Sequence, residues 1–182
     1  MRRIPMSFYT LKHYNPSPSI LKSSEGQQYT EVDTDGYYGP KFTGAVSVIP
    51  QIGAKKVIKM DSFVESSTET EWASIGLGIH FALEKNQSLI ALSNDNLGVI
   101  RSIIYKTPLK HDYAFYWYNE IQNLVKETCS TKIRWVPREM NRAGKGPNYS
   151  EIYKINENYL HNKKNKKYLF YNHHYNSDDE RR

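Results

Sequence analysis

Along residues 29–162 the spacing of apolar side chains switches repeatedly between a period of two and a period of about 3.6. The order of those switches limits the possible folds more than any other feature. Three strand segments come first, at 29–35, 43–50 and 55–60; a Gly/Tyr/Pro turn separates the first two, and the third alternates apolar and polar residues. A helical stretch follows over 66–86, where Ser66 and Glu69 have capping-box spacing and Trp72, Ile75, Ile79 and Ala82 share one face. A short apolar strand is expected at 88–92 and a helix at 96–105 that Pro108 ends. A longer helix is expected at 112–128, with Tyr113, Trp117, Ile121 and Leu124 in register. A fifth strand at 132–137 and a last helix at 150–162, with Ser150 as N-cap, complete the series. An opening meander followed by strands alternating with helices predicts an α/β protein, with a five-stranded mixed sheet flanked by helices and its first three strands antiparallel.

The flanks differ from this core. Residues 1–28, with Pro16, Pro18 and a Ser/Gly/Gln-rich stretch, read as an irregular arm. Residues 163–182 read as a polar, partly basic tail carrying Lys163, Lys164, Lys166 and Lys167 ahead of an acidic 178–180 run. The 182 residues suit one domain. No apolar run approaches the ~20 residues of a membrane helix, and the two arginines near the start have no apolar stretch behind them. One cysteine, Cys129, excludes an internal disulfide and a cysteine-built zinc site, which fits a reducing compartment. The expectation is therefore an intracellular protein (cytoplasmic, nucleoid or nuclear), with no membrane partner and a monomeric state. A net charge of +6 is compatible with a polyanionic partner and equally with ordinary solubility.

Acidic residues fall at the ends of the predicted elements. Asp35 closes the first strand, Glu71 lies in the first turn of the first helix, and Asp95 sits just past the fourth strand. If strands one and four are neighbours, Asp35 and Asp95 meet at one sheet edge, and the helix above can bring Glu71 to the same point. Three converging carboxylates repel one another unless a cation lies between them. Oxygen ligands of this kind suit Mg²⁺ or Mn²⁺, which can assist an in-line displacement at phosphorus. Singly, each has a simpler explanation: a turn residue, a helix-dipole partner and an N-cap. Their combination in this order of elements favours the metal site.

The same residues resemble a known family. Thr34-Asp35-Gly36 with Gly44-Ala45-Val46 is similar to the opening hairpin of type-1 ribonuclease H, and Thr70-Glu71-Trp72-Ala73-Ser74-Ile75 to its first-helix motif. Leu92-Ser93-Asn94-Asp95-Asn96 with Val99-Ile100 resembles the third carboxylate motif. Trp135-Val136-Pro137-Arg138-Glu139 resembles the fifth strand of the plant and reverse-transcriptase-associated branch. The resemblance spans about residues 29–162 and implies a ribonuclease H-like fold. It further implies two Mg²⁺ ions, with Mn²⁺ as a substitute, and endonucleolytic hydrolysis of the RNA strand of an RNA–DNA hybrid to 3′-hydroxyl and 5′-phosphate ends. Asp35 would bridge both metals, and Glu71 and Asp95 would complete the ligand set.

Two features depart from the family pattern. The family has a fourth acid at the start of its last helix, a few residues after an asparagine. If that asparagine is Asn141, the acid's place falls on Lys145; if it is Asn148, the acid is Glu151. The second alignment is preferred because Ser150-Glu151 opens the expected helix. The loop histidine of many members is absent, its place falling near Glu139. The candidates for contact with the hybrid are Gly36, Tyr37, Asn94, Lys106, Arg138, Asn141, Lys145 and Asn148. The alternative reading is a catalytically inactive protein of the same fold that binds nucleic acid, with Lys145 as its mark.

Overall fold

The computed structural model describes residues 9–11, 28–60, 64–145 and 152–154. Its central strands are β2 (Thr30–Tyr37), β3 (Gly44–Ile49), β4 (Ala54–Lys59), β5 (Leu89–Asn94) and β6 (Ser130–Trp135). They stand in the order β6-β5-β2-β3-β4. The meander β2–β3–β4 is antiparallel, β5 joins β2 in parallel, and β6 joins β5 in parallel. This is the mixed sheet expected from the sequence.

Two short strands extend its edges. β1 (Tyr9–Thr10) pairs antiparallel with β6, so the segment expected to be irregular contributes a strand. β7 (Ile152–Lys154) pairs in parallel with β4 through Val57↔Ile152. The helix expected at 150–162 is therefore not formed at these three positions, where backbone pairing along β4 replaces a helical turn. The remainder of that expected helix, with Glu151 and Asn148, lies outside the described residues, as does the tail 163–182.

Three helices are described: α1 (Ser67–Glu84), α2 (Leu97–Tyr105) and α3 (Asp112–Lys126). The Ser66 side chain accepts from the Glu69 amide, while the Glu69 carboxylate accepts from the Glu65 amide at 2.8 Å, so both orphan donors are satisfied. α1 is buried on nearly every side because it lies between the sheet and α3, and Trp72, Ile75, Ile79 and Ala82 all sit in the core. The register expected for α3 holds: Tyr113, Trp117, Ile121 and Leu124 are buried against it. Two glycines set how closely α1 approaches β2. A Cβ on Gly78 would stand 2.4 Å from Thr34 Cγ2, and one on Gly36 would stand 2.4 Å from the Glu71 amide nitrogen. The end of β2 and the first turn of α1 thus meet backbone to backbone.

Among the described residues, the opposite face of the sheet is thinly covered. Asp35, Val46 and Val57 are successive partners across β2, β3 and β4 and so share that face. A pair of 3₁₀ turns, Arg138–Met140 and Arg142–Lys145, follows β6 and lies over it. Ala143 from this arm closes a small apolar cluster with Phe42, Val46 and Val57.

Candidate active site

Asp35 is carried by β2, Glu71 by the first turns of α1, and Asp95 by the residue after β5. Because β5 pairs with β2 and Gly36 lets α1 touch the strand, these three side chains converge. Each offers a carboxylate oxygen within 4.8 Å of the others. At that spacing each charged pair repels by about 3–4 kcal/mol at an effective dielectric near 20.

The hydrogen bonds around the cluster fix Glu71 and leave Asp35 open. Glu71 Oε2 accepts from the Gly36 amide at 3.1 Å and from Asn94 Nδ2 at 3.2 Å. Asn94 Nδ2 also reaches the Thr34 carbonyl and the Ser74 hydroxyl, and its Oδ1 accepts from the Asn96 amide at 2.8 Å. Asn94 thus ties β2, α1 and the β5–α2 turn at one point. The Asp95 carbonyl accepts from Trp135 Nε1 at 2.9 Å, which holds that turn against β6. Asp35 is 1% exposed, and its Oδ2 is buried without a hydrogen-bond partner. A buried, unpartnered carboxylate oxygen facing two further acids has the donor chemistry of a hard divalent cation site. The residues present fit such an ion.

Protonation follows the same geometry. Burial pushes Asp35 up to about 6, with the Asp95 charge adding to it, against the lowering by the Tyr37 hydroxyl, Arg138 and the Gly36 amide. Burial also pushes Glu71 up to about 8, with Asp35 next in importance, although its bond from Asn94 acts in the other direction. The protein without a cation therefore retains a proton on Glu71 near neutrality, and a cation would displace it.

The other expected residues divide into two groups. Gly36, Asn94 and Asn141 are structural members of the site: Asn141 is buried and donates from Nδ2 to the Thr34 carbonyl at 2.9 Å. The Tyr37 hydroxyl donates to the Ala143 carbonyl at 2.7 Å and its ring meets Phe42 edge-on, so this side chain packs under the arm. Arg138 is exposed on the arm and acts electrostatically on Asp35, and exposed Lys145 ends the arm. A Cβ on Gly144 would lie 3.6 Å from Asp35 Oδ2, so the arm passes directly beside the carboxylates. Lys106 is not brought there: it caps the far end of nine-residue α2, roughly 14 Å from its start.

Sequence reasoning missed the pairing of Arg142 with Asp33 and Glu31, which fastens the arm to β2. Alternation placed Asp33 on the same strand face as Asp35, a signal that a second buried acid needed a partner. Nothing local identified that partner 109 residues away.

This arrangement defines an α/β protein with a ribonuclease H-like fold and a carboxylate triad at the ends of its central elements. Two solved structures resemble it over 64% of the chain. Ribonuclease H1 from the archaeon Halobacterium salinarum has a TM-score of 0.55 at 15% identity, with 91% of that chain covered. The N-terminal ribonuclease H domain of a Mycobacterium tuberculosis protein, solved as a fusion with maltose-binding protein, has a TM-score of 0.51 at 18% identity, with 92% covered. The family model described as reverse transcriptase-like matches residues 51–145, and the chain belongs to that family. No curated protein sequence matches it. Among the described residues no helix is long and apolar enough to cross a membrane.

Proposed function

We infer that this protein is a metal-dependent endonuclease that hydrolyses the RNA strand of RNA–DNA hybrids. The observation that carries the reading is the convergence of Asp35, Glu71 and Asp95 around a buried Asp35 oxygen that has no protein partner. Divalent cations held by these residues would supply Lewis acidity and charge neutralisation at a scissile phosphate. The chain's own part is to hold the ligands still. Gly36 and Asn94 orient Glu71 through two N–H donors, Trp135 holds the backbone of Asp95, and burial excludes water from Asp35.

Selectivity for RNA would come from 2′-hydroxyl contacts in the minor groove, beside Gly36 and Asn94. Arg138 and Lys145 are assigned to phosphates. Glu151 is not proposed as a fourth ligand: the last helix that favoured it does not form at 152–154, and β7 stands beside β4, three strands from Asp35, so the proposed ligand set is Asp35, Glu71 and Asp95. The presence of Lys145 where the family's acid would follow Asn141 favours a second reading, a nucleic-acid-binding protein without catalysis. Retention of all three converging acids favours the enzyme.

A labelled RNA–DNA hybrid incubated with the protein and Mg²⁺ or Mn²⁺ tests the choice, beside an Asp35→Asn control. Cleavage confined to the RNA strand, and lost in the control and in chelator, is expected. Binding of the hybrid without cleavage in either metal would establish the second reading instead.

A further inference from the structure

The geometry points to Arg142 as a positioning residue that fastens the 138–145 arm across β2, so that Arg138 and Lys145 are in place before nucleic acid arrives. The guanidinium is forked. Its Nε bonds Asp33 Oδ2, and Nη2 reaches Asp33 Oδ1 at 3.2 Å and Glu31 Oε2 at 2.7 Å. The Arg142 backbone amide donates to Asp33 as well, at 3.2 Å. Asp33 is 2% exposed, so this is a buried carboxylate whose charge is met by an arm residue rather than by water.

Among the described residues, little else holds the arm to the sheet. Its one buried apolar side chain is Ala143, and its remaining ties are single bonds, from Asn141 to Thr34 and from Tyr37 to Ala143. Arg138, Glu139, Met140 and Lys145 on the same arm are exposed. A short segment with so little apolar contact would sample many conformations if the fork were removed. Fixing it in advance lowers the ordering cost of binding, which is how a residue that touches no ligand changes affinity. The fork also suits arginine specifically, since a lysine ammonium cannot span two carboxylates in one plane.

The use assigned to the arm rests on the nuclease reading above; the fastening itself does not. Arg142→Ala alone would strand a buried carboxylate, so the main variant is the double substitution Asp33→Asn with Arg142→Gln, which removes both charges. Amide hydrogen exchange on the full chain reads the fastening directly. The Ala143 and Gly144 amides should exchange about tenfold faster than in the wild type while those of α1 are unchanged. In steady-state cleavage, KM for the hybrid should rise about tenfold while kcat falls by no more than about half, as expected for lost preorganisation of binding. Arg142→Lys should lie between, with KM raised by about threefold.

Unchanged exchange in the double variant would overturn the proposal. Faster exchange with kcat lost and KM intact would overturn it too, because the arm would then serve the chemical step. If the wild type neither binds nor cleaves a hybrid, the nuclease reading fails, and with it the arm's assigned use. The exchange data would still decide whether Arg142 is the fastener.

Discussion

On one face of the sheet, α1 and α3 bury Val32, Leu92, Trp72, Ile79 and Trp117 in a continuous apolar core. On the other, among the described residues, Phe42, Val46 and Val57 meet Ala143 of an arm held by a forked arginine. The first face is stabilised by area removed from water, which is tolerant of direction and large in sum. The second depends on a few oriented polar contacts, which are individually replaceable and sensitive to geometry. Asp35 belongs to the second face by its side chain and to the first by its strand. The comparison suggests that the fold is maintained from one side and the candidate chemistry adjusted from the other.

The sharpest way to break that division is Asp35→Asn. Loss of a carboxylate proposed to hold the cations would remove several kcal/mol of transition-state stabilisation, so cleavage of a hybrid should fall roughly a thousandfold. Circular dichroism and thermal melting should show an intact fold, since the substitution relieves a buried acid. A variant that unfolds would place Asp35 among the residues that maintain the fold.

Next in size is a pair of core truncations. Trp117→Ala should destabilise by about 3–5 kcal/mol in chemical denaturation, because α3 cannot collapse into the space it leaves. Phe42→Ala, at the thin edge cluster, should lose at least ~1 kcal/mol less, since that side has room to relax. Equal losses would remove the contrast between the faces.

The pH dependence of stability addresses the site itself. Asp35 and Glu71 are raised in the folded protein to about 6 and about 8, from 3.8 and 4.5. Between each pair of values the unfolded chain has already released its proton and the folded one has not. Stability without metal should therefore fall as pH rises from about 4 to about 8, and level off above that. Melting curves in chelator should show this decline, Mg²⁺ should reduce it, and Glu71→Gln should flatten most of it. A metal-free protein equally stable across that window would contradict the burial of these acids.

The smallest expected effect asks whether position 145 can supply a fourth acid. Lys145→Asp should tighten Mn²⁺ binding by about threefold if the described arm ends the ligand set, because one repulsive charge becomes a possible ligand. No change in calorimetric affinity would leave the ligand set at Asp35, Glu71 and Asp95.

Much of this was legible in the sequence because it was local. The central strands followed from alternation or short apolar runs between turns, α1 from Ser66 and Glu69, and α3 from four apolar residues in register. Asp35, Glu71 and Asp95 were legible because each stands at or near an element end in a fixed order. What was hidden depended on long-range partners or on very short elements. A two-residue strand such as β1 carries no periodicity, and β7 exists through pairing with β4 rather than through its own pattern. Tyr37 stood as a candidate for hybrid contact beside Asp35; that its hydroxyl bonds a carbonyl 106 residues further on could not be read from its neighbours. Asp33 was visible as an acid in a strand but not as half of a clasp.

The missing side chain at Gly36 has a consequence for how this molecule should age and fail. Because β2 and the first turn of α1 meet through bare backbone, the spacing between Asp35 and Glu71 has no adjustable cushion in it. Heat or chemical damage that loosens the interior must spread the two acids at the same moment. The arm across the sheet can detach earlier without moving either of them. Such a protein would pass through a stage in which the arm is loose while the three carboxylates still stand together, and only then lose both.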